Sequence, residues 1–90
     1  MEIRSGAEWQ NKSGNKQYYD ITLTDADATE TLDPDKWAKL TLRRRIVWLT
    51  AEADQMVVAQ MQRTGALTTE FAQERVKDLR QVQKVALGED

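Results

Sequence analysis

Cysteine and histidine are both absent from these 90 residues. Without cysteine there is no disulfide and no thiolate metal site. Without histidine the chain lacks the commonest metal ligand and the side chain best suited to general base work near neutral pH. Only a carboxylate metal site remains open. There is one proline, one phenylalanine and no apolar run near the roughly 18 residues of a membrane span. The opening Met1-Glu2-Ile3-Arg4 is unlike a secretion signal, so the expected location is the cytoplasm of the producing or host cell, with incorporation in a virion as an alternative.

Neither sign of charge dominates. Thirteen basic side chains stand against fifteen acidic ones, for a net −2, which argues against a general nucleic-acid or membrane-surface binder. The distribution is uneven: residues 1–33 carry three basic and seven acidic side chains, and residues 34–63 carry six and three. Internal attraction between an acidic N-terminal third and a basic helix accounts for that pattern. Acid–base catalysis needs two placed groups in a cleft. Glu52 and Asp54 stand two residues apart on a helix and diverge, while Tyr18 and Tyr19 suit strand packing. The expectation is a protein that is not an enzyme, with no cofactor, no metal and no small-molecule substrate.

What is present is a long helix. Asp33 as N-cap, Pro34 at the first helical position and Asp35 beside it make a start signal, and Arg63-Thr64-Gly65 makes a stop. Between them the pattern predicts one helix over 33–64, about 45 Å long. It is apolar on two sides. Leu42, Ile46, Leu49, Ala53 and Met56 recur at spacings of four and three, a seam suited to a packing helix, with Val57 widening it. Leu40, Val47, Ala51 and Val58 lie roughly opposite, flanked by Trp37 and Trp48, and suit the N-terminal segment. A break near Thr50, giving two helices in different phases, is the alternative.

Ahead of the helix, Gln17 to Thr24 alternates, with Tyr19, Ile21 and Leu23 on one face. That is a half-buried strand. Lys12-Ser13-Gly14-Asn15-Lys16 is a turn, and Ile3 and Trp9 mark a partner strand that Ser5-Gly6 interrupts. Either a β-hairpin or an extended arm ordered against a neighbour results. Thr24 to Thr31 reads as an acidic, solvated linker; Asp25 and Asp27 lack the glycine and closing glutamate of a calcium loop. After Gly65, Thr68 caps a second helix over 68–87. Ala72, Val76, Leu79, Val82 and Ala86 line its core side with Phe71 beside them, and Gly88 ends it. The predicted fold is a single α+β domain over 1–90, predominantly helical: strand-and-turn residues 1–32, then an antiparallel αα-hairpin with one long central helix.

Residues 69–83 run Thr69-Glu70-Phe71-Ala72-Gln73-Glu74-Arg75, then Val76-Lys77-Asp78-Leu79-Arg80-Gln81-Val82-Gln83. This segment resembles the C-terminal part of phage tail-assembly chaperone proteins, with its Thr, acid and aromatic, then Arg, then Leu-Arg. It departs from them at Glu74, where the family has an aromatic, and in lacking a proline after Leu79-Arg80. The resemblance implies a small phage protein that binds another component during assembly.

Binding is therefore expected through protein surface: a protein–protein interaction module, a small phage or mobile-element accessory or structural subunit of a larger assembly, and a homo-oligomer. Partner contacts are expected at Trp37, Arg44 and Trp48, with Arg44 projecting between the two indoles as a cation–π partner. Self-association is expected at Leu42, Ile46 and Leu49. A nucleic-acid accessory role through Lys36, Lys39, Arg43, Arg44 and Arg45 is the alternative. Three consecutive arginines on a helix point three ways, which counts against it.

Overall fold

The computed structural model describes residues 1–89. Two strands come first, β1 (Glu2–Gln10) and β2 (Lys16–Thr24), followed by α1 (Asp25–Thr29), α2 (Pro34–Ala38), α3 (Leu42–Arg63) and α4 (Thr69–Ala86). The fold is α+β and mainly helical, as the pattern predicts. Its radius of gyration is 14.3 Å and its extents are 46 × 25 × 19 Å. A spherical chain of this length would have a radius of roughly 12 Å. The molecule is a rod, with much surface for its core.

The strands pair antiparallel from Glu2 opposite Thr24 to Gln10 opposite Lys16. The Asn11 side chain shapes the turn by accepting from the backbone N–H of Ser13 and of Asn15. Gly14 takes a φ of +81°, a value that side chains with a Cβ rarely adopt. Gly6 does not break β1. It faces Asp20 across the ladder, and a Cβ at that position would collide with the Asp20 carboxylate. Ile3, Ser5, Ala7 and Trp9 of β1 share the inner face with Tyr19, Ile21 and Leu23 of β2. The pair is a hairpin on its own chain and not an arm.

The stretch expected to be a solvated linker is helical. Asp27 accepts from both the backbone N–H and the hydroxyl of Thr24, at 2.7 and 3.1 Å. This starts α1 and places Ala28 wholly inside the core.

The expected single helix over 33–64 is two helices. Asp33 caps α2 by accepting from the Asp35 N–H at 3.0 Å, but the helix stops after Ala38. The Thr41 hydroxyl then accepts from the Arg44 N–H at 3.2 Å and starts α3 afresh. The break falls at 39–41 and not near Thr50, which lies within α3. Its reward is packing: Leu40 tucks into the core beside Trp37.

Each flank of α3 is covered over part of its length: Trp48, with Trp37 and Leu40, meets the hairpin as expected, while the remaining residues are exchanged between the two layers. Leu49 and Ala53, from the seam suited to a helix, lie under the hairpin with Leu23, Ala28, Trp37, Trp48 and Ala86. Ala51 and Val58, from the other flank, meet Ala72 and Leu79 of α4. Ser5 donates to the Asp54 carboxylate at 2.6 Å, and the Trp9 indole N–H donates to the Thr64 hydroxyl at 2.9 Å. These two bonds hold the hairpin along the helix. Thr68 caps α4, accepting from the Phe71 N–H, and Gly65 and Gly88 follow their helices at φ of +79° and +78°. No helix among the described residues is long and apolar enough to cross a membrane.

Candidate protein-docking groove

Sequence reasoning nominated Trp37 and Trp48 as partner contacts, and neither reaches the surface. They are 4% and 5% exposed. Their rings meet edge to face with centroids 5.6 Å apart at 72°, an arrangement aromatic pairs favour. Arg44 does not sit between them. The break at 39–41 resets the helical phase, and Arg45 lies over Trp37 instead. Its guanidinium lies 5.8 Å from the Trp37 ring centre and donates to the Ala38 carbonyl at 2.9 Å.

Of the self-association candidates, Leu49 is fully buried and unavailable to a second copy. Leu42 is 63% exposed and Ile46 lies at the surface one turn further on. Within the basic stretch, Lys36 is bound to Glu89 at 2.8 Å and Arg45 is half-buried against Trp37. Lys39, Arg43 and Arg44 remain on the surface. No indole is left beside them for a base to stack on.

Ile46 borders a surface that the sequence did not reveal. It lies between the first half of α3 and the second half of α4. One depression, of about 400 Å³, is lined by Arg43, Arg44, Val47, Gln81, Val82 and Val85. A second, of about 230 Å³, shares Val47 and Val82 and continues past Ile46 and Thr50 to Asp54. Together they form one groove with an apolar floor. Among the described residues, the ion pairs join Met1 to Asp25, Lys16 to Glu8 and Lys36 to Glu89, so Arg43 and Arg44 take part in none of them.

Val82 was expected in the core and is 42% exposed; Phe71, placed beside that core side, is also at the surface. Gln83 holds the buried position instead. Its amide N–H groups donate to the Trp48 carbonyl at 3.3 Å and to Glu52 at 3.2 Å, and its amide oxygen accepts from Gln55 at 2.8 Å. A buried amide with its bonds made fixes the roll of α4 on α3. That roll carries Val82 and Val85 outward. The available signal was Gln83 itself, a polar residue one step from the apolar stripe, opposite Glu52 and Gln55.

No family model, curated protein or solved structure matches the chain.

Proposed function

We propose that this protein is a non-enzymatic docking subunit of a larger assembly and that the groove between α3 and α4 is where it binds protein. The observation that carries the reading is the apolar strip of Ile46, Val47, Val82 and Val85, exposed around the two joined depressions and edged by Arg43 and Arg44. Contiguous apolar surface rimmed by polar groups marks interaction sites, and arginine is enriched at them. The likeness of residues 69–83 to phage tail-assembly chaperones supports phage assembly as the setting. A nucleic-acid role through Lys39, Arg43 and Arg44 is the second reading, favoured by their exposure and weakened by the burial of Trp37 and Trp48.

A photoreactive amino acid placed at position 82, in the cell that makes the protein, tests the docking site. Discrete cross-linked adducts are expected there and not at position 18, exposed on the outer face of β2. Equal or absent labelling at the two positions removes the groove as a docking site.

A further inference from the structure

The groove has opposite charges at its two ends. On α3, Arg43, Val47, Thr50 and Asp54 recur at spacings of four, three and four; on α4, Asp78, Val82 and Val85 recur at four and three. Such spacings keep each set on one helix face. The helices run antiparallel: Gln62 meets Thr69 near their junction, and Gln83 reaches Trp48 further along. Asp78 therefore lies toward the Asp54 end and Val85 toward Arg43 and Arg44. One end is basic, the other holds two carboxylates, and Ile46, Val47 and Val82 lie between them. At 1.5 Å per residue the ends are about 16 Å apart. Arg75, a turn beyond Asp78, tempers the acidic end without reversing it.

Resting on the docking role of this groove, we infer that its occupant is a second copy of the chain. The copies are related by a two-fold axis passing near Val47 and Val82. A two-fold contact uses the same patch on both copies and must be self-complementary. Here the axis brings Arg43 and Arg44 of each copy over Asp54 and Asp78 of the other, while the apolar middles meet. Side-by-side parallel docking would set arginine against arginine. The exposed apolar middle of Ile46, Val47, Val82 and Val85 is smaller than the roughly 800 Å² per partner of a stable interface. The polar ends supply the remainder, as polar rims do in other interfaces.

Sedimentation velocity of the full chain across a dilution series tests this. A species of twice the 10.3 kDa chain mass is expected at high concentration. The variants R43E/R44E and D78K are each expected to be monomeric where the wild type is dimeric: the first sets like charges together at both ends, and the second sets a cation against Arg43 and Arg44 beside the unchanged Asp54. An equimolar mixture of the two is expected to regain dimer, since one end then keeps the native pairs and at the other the reversed charges at positions 43, 44 and 78 attract. Circular dichroism checks the fold. Should a charge reversal disturb it, R44Q and D78N report the same dependence as a rise in dissociation constant. A wild type monomeric at every concentration, a dimer that both variants leave intact, or a mixture that stays monomeric each overturns the inference. Cross-links from position 82 to other proteins, with the chain itself monomeric, would sink the second copy and leave the docking role standing.

Discussion

Trp37 and Trp48 touch edge to face, with ring centres 5.6 Å apart. On an unbroken helix residues eleven apart are separated by about 16 Å along the axis, so the contact exists only because the helix stops and restarts at 39–41. Trp37, on the short α2, folds back onto Trp48, and Arg45 covers the outer ring face. Two of the three tryptophans thus become core.

Truncating either ring is expected to be severe. Trp37→Ala and Trp48→Ala should each cost about 3–5 kcal/mol, the range for emptying a packed aromatic site. Urea unfolding followed by circular dichroism measures this. A loss below about 1 kcal/mol would mean the ring is not packed as described.

Thr41→Ala decides between a broken and a continuous helix by its sign. With Thr41 capping α3, the substitution should destabilise by about 1 kcal/mol. In a continuous helix alanine, the better helix former, should stabilise instead. Thermal unfolding of the variant beside the wild type reads the difference.

Gln83 is a polar hinge pin in an apolar contact, and its removal leaves partners behind. Gln83→Ala should cost about 1–3 kcal/mol through unpaired buried groups. Gln83→Glu should be worse at neutral pH, because a carboxylate replaces the donor that faces Glu52 and the Trp48 carbonyl. Raising that carboxyl group's proton affinity in the fold means stability returns as pH falls and the group protonates. Melting curves at neutral and mildly acidic pH test the order and the sign.

Ser5→Ala removes the bond to Asp54. A hydrogen bond to a charged, half-buried acceptor is worth about 1.5–3 kcal/mol, so the hairpin should loosen before the helices do. Hydrogen exchange of β1 and β2 amides is the measurement. Uniform acceleration in α4 as well would show the hairpin and helices unfolding as one unit.

Polar replacement of exposed apolar side chains should spare the fold. Leu42→Ser and Val85→Ser are expected to shift stability by no more than about 0.5 kcal/mol, because both side chains already face solvent. A large loss would place them in the core.

The local code was legible. Alternation in Gln17–Thr24 marked the strand. Asp33-Pro34, Thr68 and the glycines at 65 and 88 marked helix ends, and the two apolar flanks of α3 could be counted from its period. Each of these depends on neighbours a few residues away. The break at 39–41 was not legible, since neither proline nor glycine stands there and Thr41 acts as a cap only once Leu40 has a core to enter.

Which layer covers which flank, and therefore what is left uncovered, belonged to the tertiary structure. Small residues, Ala51 beside Leu79 and Ala72 nearer the interhelix turn, let α4 come close on one flank, whereas the bulk of Trp48 and Leu49 fills the wider space under the hairpin. Gln83 then sets the roll of α4. Apolar periodicity states that a face wants covering, but it carries no address. Shape and a single buried amide supplied it, and in doing so left Val47, Val82 and Val85 to the surface.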